Sequence, residues 1–237
     1  MDGVVLAAGR GSRLKPLTET RPKAMVEVGD IPMLSHCFEQ LCTLDVDRLV
    51  VVVGYRREQI MDFYGDEFAG VPIEYRVQEK RLGMAHALLA AEDAVDDDFM
   101  LMDCDNVMST HLEEIVRCHQ ADDVDGVLLV HEVSRAAAKK KAIVDIDADG
   151  TITGILNKPD DPPEQSFVAA GFHTFTPAAF DASRLVQRSE RGEYELSDTI
   201  DILIASERRL VAVECDDWVV NVNTPDDLET ANRLIRS

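Results

Sequence analysis

Along the first half of the chain, short apolar runs alternate with segments whose apolar positions recur at helical spacing. The runs near 3–8, 48–53, 73–77, 99–103 and 126–133 are short and bounded by polar turns, so they read as buried strands. Helix-period positions occupy 33–44, 57–64, 83–94 and 110–120. This alternation predicts a parallel sheet with helices on both faces, because each parallel connection must carry the chain back along the sheet. After about residue 140 the pattern changes. Ile143 to Ile146 and Thr151 to Ile155 flank Asp147-Ala-Asp-Gly150, which predicts a hairpin. A strand near 168–176, helices near 182–189 and 197–206, short strands near 209–214 and 218–222, and a helix from Pro225 complete the reading. The expected fold is α/β: a Rossmann-like, doubly wound, mostly parallel sheet carrying a small hairpin-and-helix insertion. With 237 residues and no internal repeat or linker, one domain over 1–237 is expected.

Charge narrows the range of partners. Lys and Arg total 24 against 45 Asp and Glu, a net charge of −21, and the acids are spread along the chain. Such a field repels nucleic acid and anionic membranes, so any phosphate site must be built locally. Only seven lysines occur, and an Asp-rich, Lys-poor surface resembles that of proteins from a high-salt cytoplasm. Cys37, Cys42, Cys104, Cys118 and Cys215 form no CxxC pair and no zinc spacing with the six histidines. They read as reduced thiols, in keeping with a cytoplasmic location. No basic leader and no run of about 18 apolar residues is present, so neither secretion nor a membrane partner is expected.

Chemistry first shows itself after the first apolar run, where Gly9, Gly11 and Ser12-Arg13 follow a strand directly. Glycines at the carboxyl end of a parallel strand let main-chain N–H groups approach an anion. An ordinary tight turn is the plain alternative. A dinucleotide fingerprint would need a third glycine where Leu14 stands, and the Gly-Lys-Ser/Thr of a P-loop is absent. Arg13, Lys15 and Lys23 instead gather positive charge in an acidic chain, which suits a polyanion or, alternatively, a solvated charged face. Asp105 follows the apolar run Phe99–Met102, where a carboxylate could share a hard cation with a phosphate. A turn-forming Asp-Asn pair is its alternative, and Asp103 competes with it for the cation.

Further segments join in order. Ala7-Ala-Gly-Arg-Gly-Ser-Arg-Leu-Lys-Pro-Leu-Thr18, Arg21-Pro-Lys23, Gln78 with Leu82-Gly-Met-Ala-His-Ala87, Asp103-Cys-Asp-Asn106, Asn157-Lys-Pro159, Ala170-Gly171, Arg191 to Asp198 and Trp218 to Leu228 follow one another through the chain. In order and spacing they resemble the sugar-phosphate nucleotidyltransferase family, whose opening signature is A-A-G-x-G-[ST]-R-L-x-P-L-T followed by P-K. The resemblance implies transfer of a nucleotidyl group from UTP or dTTP to a sugar-1-phosphate, glucose-1-phosphate above all, with Mg²⁺ as cofactor. It divides the chain into a nucleotide-binding half, 1–135, and a sugar-phosphate half, 136–237. A homo-oligomer is compatible with it.

The same resemblance assigns residues. Arg13, Lys23 and Asp105 would be catalytic, Arg13 on the leaving pyrophosphate and Lys23 between the reacting phosphates. Leu6, Ala8, Gly9, Gly11, Ser12 and Arg13 would hold the nucleotide with Asp103, Gln78 and Gly83; the Gln78 amide suits a pyrimidine edge. Asn157, Lys158, Gly171, Glu193 and Glu195 would face the sugar phosphate. The metal would fall to Asp105 with Asn221 or Asn223. Three departures from the family bear on the sugar. Asn221 stands for an Asp, Asn157 for the Glu of E-K-P, and Lys139-Lys-Lys-Ala-Ile143 lacks a Tyr-Gly sugar turn. Asn221-Val-Asn223 favours the alternative of a cytidylyl- or guanylyltransferase, Gln78 opposes it, and a non-catalytic nucleotide-binding homologue is the remaining alternative. None of the histidines is expected to bind metal, and Trp218 is expected in the core.

Overall fold

Val4 and Val5 are neighbours on the first strand, yet each is buried in a different apolar core. That follows from the two-residue repeat of a strand that is covered on both faces. A computed structural model describes the whole chain except Asp122, Lys140, Lys158 and Ser237. It begins with β1 (Asp2–Ala7), a small ribbon of β2 (Glu27–Val28) and β3 (Ile31–Pro32), α1 (Met33–Cys42), β4 (Leu49–Val53) and α2 (Arg57–Tyr64). There follow β5 (Glu67–Phe68), β6 (Val71–Val77), α3 (Met84–Leu89), β7 (Phe99–Asp103), β8 (Asn106–Ser109) and α4 (Glu113–His119). The second half runs β9 (Gly126–Val133), α5 (Arg135–Ala138), β10 (Ala142–Ile146), β11 (Ile152–Asn157), β12 (Ser166–Phe175) and α6 (Ala178–Leu185). It ends with α7 (Leu196–Ala205), β13 (Leu210–Glu214), β14 (Trp218–Asn221) and α8 (Pro225–Ile235).

β1 pairs in parallel with β4 and β7, and β4 with β6, so the order β6-β4-β1-β7 reverses direction between β1 and β7. In open α/β sheets ligands bind outside the strand ends at such a switch point. β12 then runs antiparallel to both β7 and β9, and β9 pairs in parallel with β13. The sheet is therefore mostly parallel and mixed, as the alternation predicts. Val5, Val51, Met100 and Met102 pack under α1 and α4, while Val4, Val50, Val52, Phe99 and Leu101 pack under α3, α6 and α7. The expected hairpin is present as β10 and β11, joined to the sheet where Val144 pairs with Phe167.

Two expectations about elements need correction. The helix placed at 182–189 lies at Ala178–Leu185, because Ala179, Phe180, Ala182 and Ser183 form its buried face and the backbone becomes extended at Val186. The helix placed over 83–94 ends at Leu89 and is followed by a separate 3-10 turn, Glu92–Ala94. Four short strands were not expected, β2, β3, β5 and β8; the last pairs with β14, placing Asn106 opposite Asn221. A third, smaller core gathers Leu14, Val28, Met33, Val107, Val222 and Ala231, with Trp218 half-buried against it. It seats α8 against β2 and β14.

Candidate nucleotide and phosphate site

The glycine loop leaves β1 and lines a cleft of about 380 Å³ with Leu6, Ala8, Gly9, Arg10, Gly11 and Ser12. Gly11 takes the left-handed conformation, φ 67°, and a Cβ there would stand 3.0 Å from both Cβ and Cγ of Lys23. Left-handed backbone costs other residues about 1–2 kcal/mol, and here the approach of Lys23 adds a steric reason for glycine. Thr18 Oγ1 donates to the Gly11 carbonyl at 2.6 Å and Leu14 N to the same oxygen at 3.0 Å. Those bonds fold the signature back on itself and set Lys23 beneath the loop.

Lys23 is only 8% exposed. Its Nζ donates to Asp105 Oδ2 at 2.6 Å and to Asn223 Oδ1 at 2.8 Å. Arg13 Nη2 donates to the same Asn223 oxygen at 2.7 Å. Asn106 and Asn221 each donate to Asp105 Oδ1 at 3.2 Å, and Val222 N donates to the Asp105 carbonyl at 2.8 Å. Side chains from four stretches of sequence thus share one network. Its far wall is held by the start of α8: the Thr224 hydroxyl accepts from Asp227 N, and Asp227 Oδ2 accepts from Thr224 N at 2.8 Å and Asn223 N at 3.0 Å.

Asp103 also lines the cleft, and its Oδ1 is buried with no hydrogen-bond partner. Burial, and then the neighbouring Asp105 carboxylate, push its pKa well above the usual carboxylate range, against a smaller downward pull from Lys23.

At the other end of the cleft the contacts are neutral. Gln78 is buried, and its Nε2 donates to Gly83 O and to His86 Nδ1, both at 3.0 Å. Burial, then the charges of Arg188 and Lys80, lowers the pKa of His86. A neutral ring can accept at Nδ1, which orients the Gln78 amide with its oxygen free. Gly83 has φ 104°, and a Cβ there would lie 2.4 Å from Tyr194 O. Tyr194 N donates to Leu82 O at 2.7 Å and Ala85 N donates to Tyr194 O at 3.0 Å. These bonds lace the loop before α3 to the loop before α7 and leave Glu193 on the cleft wall.

Not every expected residue joins this cleft. Asn157 is exposed at the end of β11, and Lys158 lies outside the described residues. Gly171 is buried behind the Asp105 turn, where a Cβ would stand 2.0 Å from Asn106 Nδ2. Its bareness makes room for Asn106. Glu195 accepts from Ser189 Oγ at 3.0 Å and Arg191 Nη2 at 2.9 Å. Asn223 gives its oxygen to two cationic side chains, whereas Asn221 lies against Asp105. The sequence reading did not single out Asn106, although it ends the quoted segment Asp103-Cys-Asp-Asn106, nor Arg10 and Arg81, which also line the cleft.

A switch-point cleft with a glycine loop, paired cations and a carboxylate at one end, and an amide at the other, has the make-up of a site for a charged ligand in an α/β protein. The chain belongs to the nucleotidyl transferase family, whose model matches residues 2–237. It is 47% identical over 236 residues to UTP–glucose-1-phosphate uridylyltransferase AglF of Haloferax volcanii, covering 100% of this chain and 97% of that protein. It is 34% identical to the low-salt glycan biosynthesis nucleotidyltransferase Agl11 of the same organism, covering 99% of this chain and 66% of that protein. Among solved structures, a Bacillus anthracis protein assigned as a glucose-1-phosphate thymidylyltransferase superposes with a TM-score of 0.89 at 28% identity, covering 100% of this chain and 96% of that one. A UDP-glucose pyrophosphorylase complexed with UDP-glucose shares the fold, with a TM-score of 0.88 at 18% identity over 99% of this chain and 98% of that one. Sugar-1-phosphate nucleotidyl transfer, expected from the motifs, is thus the activity of the chain's relatives. Among the described residues no helix is long and apolar enough to cross a membrane.

Proposed function

We propose that the protein transfers a uridylyl or thymidylyl group from UTP or dTTP to glucose-1-phosphate, giving a nucleoside-diphosphate sugar and pyrophosphate. The observation that carries this reading is the meeting of Lys23, Arg13 and Asp105 beneath the glycine loop. A phosphate oxygen of the sugar phosphate attacks the α-phosphorus, and the bond to the β-phosphate oxygen breaks. Catalysis then consists of aligning two polyanions and neutralising charge on the oxygens between them. Lys23, held in place by Asp105 and Asn223, is positioned to bridge the two reacting phosphates, and Arg13 to take the departing pyrophosphate. The 47% identity to AglF over nearly the whole of both chains supports the same sugar phosphate and nucleotide.

The base end supports a pyrimidine with an N3–H. Gln78 spends its Nε2 on Gly83 and His86, which leaves the amide oxygen as an acceptor for the N3–H that uracil and thymine carry and cytosine lacks. No group of three or more His, Cys, Asp or Glu among the described residues could hold a metal alone. The Asp105 carboxylate, against which Asn221 sets its Nδ2, nevertheless offers a hard oxygen donor suited to a Mg²⁺ that takes most of its ligands from substrate phosphates and water. When bound there, Mg²⁺ would neutralise phosphate charge and orient the α-phosphoryl group. The composition and the Haloferax relatives support a cytoplasmic enzyme working at high salt.

Asn221 and Asn223 favour a second reading, a cytidylyl- or guanylyltransferase. Pyrophosphate release assayed with each triphosphate against a panel of sugar phosphates, with and without Mg²⁺ and at several salt concentrations, separates the two. UTP or dTTP with glucose-1-phosphate is expected to give the highest kcat/KM. Preference for CTP or GTP would establish the second reading, and no release with any pair would leave a non-catalytic homologue.

A further inference from the structure

Arg10, Arg56 and Arg81 converge on one aromatic ring. Their guanidinium carbons lie 5.2, 5.4 and 5.8 Å from the centroid of Tyr55. Three segments supply them: the glycine loop carries Arg10, the turn after β4 carries Tyr55 and Arg56, and the loop before Gly83 carries Arg81. Arg56 is anchored, donating to Tyr55 Oη and to Glu19 O, both at 3.0 Å. Arg10 and Arg81 have the ring and no ion-paired carboxylate among the described residues. In a chain with 45 acidic side chains against 24 basic ones, that is unexpected. Arg57, on the helix that follows, and Arg48, at the opposite end of β4, each pair with acids. Like charges held this close repel by several tenths of a kcal/mol per pair even in water, while a ring face returns about 0.5–1 kcal/mol per cation at an exposed site. The cluster holds itself together and leaves its outward charge uncompensated.

The inner end of the cleft is balanced differently. The side-chain hydrogen bonds of Lys23 and Arg13 end on Asp105 and Asn223, so the inner cations are already engaged within the protein. Surplus positive charge for a triphosphate tail is found on the rim instead. Arg10 and Arg81 line the same cleft as Gly9, Ser12 and Asp105.

We propose that Arg10 and Arg81, carried on the Tyr55 ring, form an outer subsite that grips the β- and γ-phosphates of the incoming nucleoside triphosphate and the pyrophosphate derived from them. The inference rests on the nucleotidyl-transfer reading above. Both side chains are exposed and stand apart from the Lys23 network, so they contribute to binding rather than to turnover, and their contribution weakens as salt rises.

The test is calorimetric titration of the full chain and of its R10Q/R81Q variant with UTP, inorganic pyrophosphate and UMP, alongside steady-state kinetics. Charge-assisted bonds of the strength usual for arginine and phosphate predict a loss of about tenfold or more for UTP and pyrophosphate. Binding of UMP, KM for the sugar phosphate and kcat should be unchanged. R10K/R81K, which keeps the charge, should recover part of the loss. An equal loss for UMP would place the cluster on the base or ribose and overturn the proposal. Unchanged affinity for all three would reduce it to a solvated face and overturn it as well. Wild-type protein that binds no triphosphate would overturn the transfer reading itself, a result distinct from a loss confined to the variant.

Discussion

The two ends of the cleft are built on opposite plans. At the end proposed to hold the phosphates, Arg13, Lys23, Asp105, Asn221 and Asn223 meet through side chains, and every bond there involves a charge or an amide next to one. At the end proposed to hold the base, Gln78, Gly83 and Tyr194 are positioned mainly by main-chain hydrogen bonds and by the lack of room for a Cβ at Gly83. A charged end can stabilise developing charge in a transition state, whereas a neutral end can only select what fits and hydrogen-bonds. The reaction is therefore expected to depend on the first and the choice of nucleotide on the second.

Substitution should separate the two ends by size of effect. The largest is expected at Lys23: K23A should lower kcat on the order of a thousandfold or more with the fold intact by circular dichroism. A loss confined to KM would merge the two ends and break the comparison.

The scaffold strand β12 pairs with β7 on the Asp105 side of the sheet, and pH tests it separately. His173 is buried, and burial lowers its pKa to about 4. Because the unfolded chain takes up this proton near 6.5, the histidine's contribution to stability is complete above that pH and is lost as pH falls from 6.5 towards 4. H173F should flatten that acid limb by on the order of 3 kcal/mol in denaturant titrations. An unchanged limb would show that His173 is not held neutral.

A smaller effect is expected at Gly171, where G171A would drive a Cβ into Asn106 and disturb Asp105 from behind. Turnover should fall some tens of fold, an order-of-magnitude expectation for a site displaced by about 1 Å. Gly154, where an added Cβ would meet nothing within 4 Å, is the control, and G154A should leave kcat unaltered. Smallest is the base end: Q78A should raise KM for UTP about tenfold and narrow the preference over CTP, while kcat is nearly kept. A kcat loss as large as that of K23A would show that the base end takes part in the chemistry.

Much of this site was legible in the sequence because its key groups lie in short segments tied to strand ends. The glycine loop follows β1 and Asp105 follows β7, so placing both strands in one parallel sheet already puts both groups at the same edge of it. Gly171, Glu195 and Asn157 were harder. Their types suit sugar contact, but a glycine can serve a ligand or a neighbouring side chain, and Glu195 is engaged by Ser189 and Arg191. The β8–β14 ladder was also missed: β14 was expected near 218–222, but the four residues of β8 carry too little periodicity to stand out directly after β7, yet this ladder is what sets Asn106 beside Asn221.

By itself, then, the sequence determined the alternation of strands and helices, the glycine loop, the excess of acid and the order of motifs that mark the family. These are local properties, set by periodicity, turn chemistry and composition. Only the tertiary structure decided which amide meets which charge: that Asn223 is shared by Arg13 and Lys23, that Asn221 and Asn106 hold Asp105, and that three arginines gather on Tyr55. Such contacts join residues up to 210 positions apart. They depend on how β14 pairs with β8 and how α8 packs against β2, and no spacing along the chain encodes that packing.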